Sequence, residues 1–85
     1  MTSPLTAPPL TIYSTQWCGY CHRLMKQLER EGVAFVTVDI ENDAEAAAYV
    51  MQVNGGNQTV PTVVFADGSA LTNPSLIEVK AKLAA

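Results

Sequence analysis

The sequence has few of the features that mark membrane-spanning, nucleic-acid-binding or secreted proteins. Its 85 residues include only five Lys and Arg against eight Asp and Glu, a formal net charge of -3, and no basic block indicates a nucleic-acid partner. No stretch approaches the roughly 18 consecutive apolar residues of a membrane span. Residues 1–9 contain neither Lys nor Arg, so no secretory signal is predicted. We therefore expect a cytoplasmic protein with no nucleic-acid or membrane partner.

Cysteine is also scarce, since Cys18 and Cys21 are the only two. In the cytosol a lone cysteine pair is more often catalytic or metal-binding than structural, and a disulfide over so short a loop would constrain the unfolded chain little. A structural zinc site needs four ligands, and His22 is the only histidine available to join the pair. The Cys-x-x-Cys spacing therefore favours thiol–disulfide redox chemistry.

Apolar periodicity and turn residues predict one domain at residues 10–85, preceded by an extended lead at residues 1–9. The predicted elements are strands at 10–14, 33–40, 60–65 and 70–72, and helices at 19–31, from Asn42 to the Gly55–Gly56 pair, and from Asn73 or Ser75 onward. A helix joins the first two strands, so they should be parallel, and Asp67–Gly68 predicts a hairpin between the last two. The sequence thus predicts an α/β fold of order βαβαββα, a mixed four-stranded sheet flanked by three helices.

Capping residues predict where the second and third helices begin. Asn42 and Glu45 resemble a capping box for the second helix, and Ser75 and Glu78 form another for the third, with Asn73 as an alternative cap. The buried faces predicted for these helices are Ala46, Val50 and Val53, and then Leu76, Val79 and Leu83.

The position of the cysteines predicts different roles for them. Cys18 precedes the first helix, where free backbone N–H groups and the positive dipole end lower the pKa of a thiol below about 8.5. Cys21 lies one turn further on, on the apolar stripe. We therefore predict Cys18 as the nucleophile and Cys21 as the resolving thiol. Stabilisation of the thiolate would come from the helix start or from His22, Arg23 or Lys26.

Three motifs give the sequence a resemblance to the glutaredoxin family, which has a thioredoxin-like fold. They are Trp-Cys-Gly-Tyr-Cys at 17–21, Thr-Val-Pro-Thr-Val at 59–63 and the Asp-Gly turn at 67–68. Two further stretches, Asn-Gly-Gly-Asn at 54–57 and Leu-Thr-Asn-Pro-Ser at 71–75, are similar to the mycoredoxin subfamily of bacteria that use mycothiol rather than glutathione. The resemblance implies that residues 10–85 are a single glutaredoxin-like domain.

The resemblance also implies a substrate site around the cysteines. It implies a cis peptide bond between Val60 and Pro61 that faces Cys18, with the backbone of Val60 presented to the bound thiol compound. The substrate-binding residues that it implies are Trp17, Tyr20, Thr59, Val60, Pro61, Thr72 and Asn73.

One departure from ordinary glutaredoxins bears on the substrate. Thr72 and Asn73 stand where many members have two glycines, and Ser75 stands where they have an acid. The ammonium group of glutathione would lose its carboxylate partner there. Mycothiol carries its cysteinyl sulfur on a sugar–inositol body, whose hydroxyl groups suit hydroxyl and amide side chains.

The activity that the resemblance implies is reduction of protein–mycothiol mixed disulfides by a mainly monothiol mechanism. Mycothiol would be the co-substrate, and no tightly bound cofactor or metal is expected. The implied partners are mycothiolated proteins and, indirectly, a mycothiol disulfide reductase, with the protein acting as a monomer.

Two alternatives stay open at this point. The first is a dithiol electron donor that a thioredoxin reductase reduces directly. The second is a carrier of a [2Fe–2S] cluster bridged between two subunits, each supplying one cysteine.

Overall fold

The computed structural model describes residues 10–84; the lead predicted at 1–9 lies outside the described residues, as does Ala85. The elements are β1 (Leu10–Ser14), α1 (Gly19–Arg30), β2 (Phe35–Asp39), α2 (Ala44–Val53), β3 (Thr62–Phe65), β4 (Ala70–Thr72) and α3 (Leu76–Ala84). Their order is the predicted one. None of the helices within residues 10–84 has the length and apolarity needed to cross a bilayer.

The four strands form one mixed sheet in the order β2-β1-β3-β4. β1 is parallel to β2 and antiparallel to β3, and β3 and β4 form the antiparallel hairpin, as predicted. Ser14 pairs with Asp39, while Thr62 lies opposite both Tyr13 and Thr72. The last residues of β1, β2 and β4 and the first residue of β3 therefore meet at one end of the sheet. We call this the cysteine end, because the chain leaves it from β1 toward Cys18.

Helices cover both faces of the sheet, with a separate apolar core under each face. The larger core lies under α1 and α3 and contains the buried residues Leu10, Ile12, Leu24, Leu28, Val63, Phe65 and Val79. The smaller core lies under α2 and contains Ile40, Ala46 and Val50, with Tyr13, Val38, Ala47 and Val60 packed against it. Alternation along β1 explains this division, because successive side chains of a strand point to opposite faces.

The second strand begins later than predicted because the end of α1 uses the intervening residues. Gly32 has a φ of 74°, and its N–H donates to the carbonyl of Glu29 at 3.1 Å, while the N–H of Val33 donates to that of Leu28 at 3.0 Å. This is the Schellman pattern that satisfies the last carbonyls of a helix. Val33 thus belongs to the helix cap, and sheet pairing starts at Phe35.

The N-cap prediction for α2 was wrong by one residue. Asp43, not Asn42, caps the helix, and its side chain accepts a hydrogen bond from the N–H of Ala46 at 3.0 Å. The amide of Asn42 instead donates to Asp39 at 2.7 Å. A carboxylate beside the positive end of a helix also gains from the helix dipole, which an amide does not.

The capping box of α3 is confirmed at Ser75 and Glu78. The N–H of Ser75 donates to Glu78 Oε1 at 2.8 Å, and the N–H of Glu78 donates to Ser75 Oγ at 3.2 Å. The predicted buried faces of α2 and α3 each include one residue too many, since Val53 and Leu83 are each 37% exposed. Both residues lie in the last turn of their helix, where the sheet no longer covers the chain.

Candidate active site

The cysteine pair lies where β1 leads into α1. Cys18 is the N-cap of α1, and its Sγ accepts a hydrogen bond from the backbone N–H of Cys21 at 3.1 Å. The two cysteines are joined as a disulfide, with their Cα atoms 5.3 Å apart. After reduction, the Cys18 thiolate would lie at the N-cap of the same helix. A free N–H and the positive dipole end of a helix stabilise negative charge at that position.

Burial separates the two sulfurs as the apolar stripe predicted. Cys21 is fully buried beside Leu24 and Leu28 on the inner face of α1, and Cys18 retains 5% exposure. The backbone around Cys18 is held on both sides: its N–H donates to the carbonyl of Thr15 at 3.3 Å, and its carbonyl accepts from the N–H of His22 at 3.2 Å. The edge of Cys18 is therefore the side of the pair that a substrate sulfur meets first.

Two exposed aromatic side chains lie next to the cysteines in the chain. Trp17 is 72% exposed and Tyr20 is 69% exposed. The indole Nε1 of Trp17 donates to a carboxylate oxygen of Glu41 at 2.7 Å, and the N–H of Glu41 is bonded to the side chain of Asp39 at 2.9 Å. Trp17 is thus tied to the segment that follows β2. Sequence reasoning missed Glu41, although its place after a strand parallel to β1 is a signal for contact with the loop after β1.

The Val60–Pro61 segment enters the sheet at the cysteine end. The Val60–Pro61 peptide bond is cis, Pro61 is buried and Val60 is partly buried against the smaller core. Thr59 is exposed, and its carbonyl accepts a hydrogen bond from the hydroxyl of Thr62 at 2.8 Å. The carbonyl of Pro61 accepts from the N–H of Asn73 at 2.7 Å. This bond joins the start of β3 to the residue after β4.

Asn54 connects the three segments on this side of the site. Its side-chain amide donates to Thr62 Oγ1 at 3.0 Å, and its side-chain oxygen accepts from the hydroxyl of Thr72. The end of α2 is thereby fixed to β3 and β4, an arrangement that we call the Asn54 clasp. Sequence reasoning did not place Asn54 or Thr62 in the site, although Asn54 belongs to one of the motifs that carried the resemblance.

The remaining predicted substrate residues fall in two places. Thr72 is engaged in the Asn54 clasp, while Asn73 has a φ of 48° in the left-handed region. Asn73 and Tyr20 both line a groove of about 510 Å³ between α1 and the start of α3. The other lining residues are Arg23, Leu24, Gln27, Pro74, Ser75, Leu76, Ile77 and Glu78. Thus Tyr20 and Asn73 come together, whereas Trp17 lies on the β2 side.

Similarity to known proteins identifies the kind of protein to which this site belongs. The glutaredoxin family model matches residues 10–70. The chain belongs to the glutaredoxin family. It is a thiol–disulfide oxidoreductase, and the fold order and Cys-x-x-Cys site described above are those of such a protein.

Two relatives are similar over nearly their whole length. A Mycobacterium tuberculosis protein described as a putative glutaredoxin is 64% identical over 74 residues, which are 87% of this chain and 88% of that protein. Mycoredoxin 1 of Corynebacterium glutamicum is 46% identical over 76 residues, 89% of this chain and 94% of that protein.

Solved structures agree on the thioredoxin-like fold. The glutaredoxin of Archaeoglobus fulgidus matches with a TM-score of 0.77 at 23% identity and covers 95% of this chain and 91% of its own. The buckwheat glutaredoxin in complex with glutathione matches with a TM-score of 0.68 at 26% identity, covering 88% of this chain and 70% of its own. The mixed sheet and three helices predicted from the sequence are thereby confirmed.

Proposed function

We propose that this oxidoreductase reduces mixed disulfides between proteins and mycothiol. The observation that carries the proposal is the similarity to Mycoredoxin 1, which extends over 89% of the chain. The placement of Cys18 supports it, because a sulfur at the N-cap of α1 beside a backbone N–H is suited to nucleophilic attack. The protein would act in the cytoplasm as a monomer, with mycothiol as co-substrate and no tightly bound cofactor.

In the first step the Cys18 thiolate attacks the mycothiol sulfur of the mixed disulfide. A bond forms between Cys18 Sγ and that sulfur, the disulfide bond to the protein breaks, and the protein leaves as a thiolate that takes a proton from water. A thiolate of low pKa attacks well because it is ionised near neutral pH. The number of disulfide bonds does not change, because one breaks in the substrate protein and one forms between Cys18 and mycothiol.

In the second step a mycothiol thiolate attacks the mycothiol sulfur bound to Cys18. The products are mycothiol disulfide and the Cys18 thiolate, which starts the next cycle. A separate NADPH-dependent mycothiol disulfide reductase would return the disulfide to two thiols. The sum of both steps is protein–mycothiol disulfide plus mycothiol giving protein thiol plus mycothiol disulfide.

Cys21 gives the cycle a second exit. Its thiolate can attack Cys18 Sγ of the enzyme–mycothiol disulfide, which releases mycothiol and forms the internal disulfide. The 5.3 Å between the Cα atoms suits this bond. Because Cys21 is fully buried, we expect this exit to compete with attack by free mycothiol rather than to be obligatory.

Mycothiol would bind between Val60 and the start of α3. The backbone N–H and C=O of Val60 would pair with the cysteinyl part, as in an added strand, and Trp17, Tyr20, Thr59, Pro61, Thr72 and Asn73 would surround it. The amide of Asn73 and the ring of Tyr20 line the same groove and offer hydrogen bonds and a flat face to a sugar–inositol body. Ser75 brings no negative charge of its own, and Glu78, which lines the same groove, accepts the N–H of Ser75 with one carboxylate oxygen.

A coupled assay tests the proposal. Both reactions contain the enzyme, a mycothiolated protein and NADPH. The first also receives mycothiol and the mycothiol disulfide reductase. The second receives thioredoxin reductase in place of those two components. We expect NADPH to be consumed in the first reaction and not in the second. Consumption in the second alone would overturn the proposal in favour of a thioredoxin-reductase-dependent dithiol donor.

A spectrum tests the remaining alternative. The visible absorption spectrum of protein purified without oxygen would show sulfur-to-iron charge-transfer bands if a bridged [2Fe–2S] cluster were present. We expect a colourless protein that is active in the coupled assay. A coloured, inactive protein would instead make it an iron–sulfur carrier.

A further inference from the structure

Positive charge is concentrated on one exposed face of α1, beside the cysteines. Three of the five Lys and Arg residues of the chain lie there: Arg23, Lys26 and Arg30. Residues three and four positions apart share a helix face, and these three lie opposite the buried Leu24 and Leu28. We call them the α1 basic stripe.

None of these three cations forms an ion pair with a carboxylate in the part of the chain that the structure describes. The single ion pair between side chains of residues 10–84 joins Lys80 to Glu31 at 2.6 Å. A shallow groove of about 560 Å³ runs along the stripe, and its lining residues include no acid: Gly19, His22, Arg23, Lys26, Gln27 and Arg30. The stripe therefore presents its charge to solvent.

The stripe does not serve the stability of its own helix. Like charges three and four residues apart destabilise a helix, and a cation in its first turns opposes the helix dipole. Only Arg30, in the last turn, is favourably placed. The whole chain carries a net charge of -3, yet three of its five cations lie on α1 beside the reactive sulfur. The stability of the helix does not explain this placement.

A second, acidic surface lies on the β2 side of the site. Asp39, Glu41, Asp43 and Glu45 lie at the end of β2 and the start of α2. The bond from Trp17 Nε1 to Glu41 joins this acidic segment directly to the residue before Cys18. The site thus has a positive surface along α1 and a negative one at the end of β2 and the start of α2. Such a distribution of charge favours one orientation of a charged partner over the reverse.

We propose that the α1 basic stripe docks an acidic segment of the protein whose mixed disulfide Cys18 attacks. The inference rests on the function proposed above and adds the chemistry of the protein substrate. From Arg23 to Arg30 the helix rises about 10 Å at 1.5 Å per residue, a length that about four residues of extended chain span. The preferred substrate carries Asp and Glu over that length on one side of the modified cysteine.

Two mycothiolated peptides test the inference. They have the same length and the same cysteine, but one carries four Asp and Glu residues on one side of it and the other carries Asn and Gln. The measured quantity is the ratio of kcat/KM for the acidic peptide to that for the neutral peptide. We expect a ratio of about 10 at low ionic strength, because complementary charge raises association rates by that order. The ratio should fall toward 1 in about 0.5 M NaCl, where exposed charges are screened.

The chain offers a matched control for the variant. Arg30→Glu changes the charge of the stripe by two units, and Lys82→Glu changes that of α3 by the same amount; each residue lies in the last turn of its helix. We expect the stripe variant to lower the ratio to about 2, as attraction at the docking face is reduced. The α3 variant should keep the ratio of the native protein. Both variants should reduce the neutral peptide at the native rate.

The possible outcomes separate the two proposals. If the native protein reduces both peptides at the same rate, or if the stripe and α3 variants lower the ratio equally, the docking inference is wrong while the proposed function stands. If the stripe variant slows the neutral peptide as much as the acidic one, the cations act on the sulfur and not on the partner, and the docking inference again fails. If neither mycothiolated peptide is reduced, the proposed function fails and the docking inference with it.

Discussion

The two faces of the sheet hold the two halves of the site by different means. On the α1 face, seven buried apolar residues form the larger core, and Cys21 is packed beside it. On the α2 face the core has only three buried residues, and the Asn54 clasp adds hydrogen bonds to Thr62 and Thr72. The resolving sulfur of Cys21 is thus held by packing, whereas the substrate side is held by side-chain hydrogen bonds. We therefore expect the two halves of the site to respond to different mutations.

The largest effect should come from the nucleophile. We expect Cys18→Ser to abolish reduction of mycothiolated protein, because no other sulfur lies at the N-cap of α1. Cys21→Ser should keep activity within about threefold, because the second mycothiol replaces the internal thiol. The coupled NADPH assay measures both variants. Equal loss in the two would mean that the internal disulfide is obligatory.

The next largest effect should be on stability, and it should differ between the two faces. Leu28→Ala removes a fully buried side chain from the larger core and should lower the free energy of unfolding by about 2–5 kcal/mol. Val50→Ala, fully buried in the smaller core, removes two methyl groups and should cost about 1–2 kcal/mol. Urea titrations followed by circular dichroism measure both. An equal or reversed pair of losses would contradict the division into a larger and a smaller core.

The Asn54 clasp should affect substrate binding more than chemistry. Asn54→Ala removes two side-chain hydrogen bonds and should destabilise the protein by about 1 kcal/mol for each. We expect KM for the mycothiolated substrate to rise several-fold while the alkylation rate of Cys18 stays unchanged, because α1 is not touched. Gln52→Ala, on the exposed surface of α2, is the control. A fall in the alkylation rate would show that the clasp also positions the sulfur.

The smallest effect should come from the surface ion pair on the α1 face. A hydrogen bond from Lys80 holds the pKa of the Glu31 carboxyl below its usual value. Since the pKa is lower in the folded protein, the pair stabilises the fold above the unfolded pKa, and this stabilisation is lost as the pH falls through the folded pKa. Lys80→Met should therefore lower the urea midpoint slightly at pH 7 and not at pH 3. A difference that persists at pH 3 would assign the effect to packing instead.

The sequence predicted the parts of the structure that depend on local pattern. The strand β1, the deeper burial of Cys21 than of Cys18 and the capping box at Ser75 and Glu78 follow from alternation, helical spacing and side-chain chemistry. The cap of α2 was placed at Asn42 because an amide and a carboxylate one residue apart carry similar local signals. In the structure the Asn42 amide donates to Asp39 at the end of β2, and Asp43 caps the helix instead.

Hydrogen bonds between segments far apart in the chain could not be predicted from the sequence. The bond between Trp17 and Glu41 and the clasp through Asn54 join residues far apart in the chain. They depend on which strand ends meet, and so on the register of the sheet. The sequence predicted Thr72 as a strand residue, Asn73 as an alternative cap of α3, and both as substrate residues. The structure gives each a bond within the protein, to Asn54 and to Pro61 respectively.

The bond that holds Trp17 has a spectroscopic consequence. Trp17 is the only tryptophan of the chain, so all indole fluorescence originates one residue from Cys18. A disulfide quenches a nearby indole, and a thiol does so much less. Emission intensity should therefore follow the oxidation state of the cysteines directly, without a dye or a coupled enzyme, and its wavelength should shift when a bound partner displaces water from the ring.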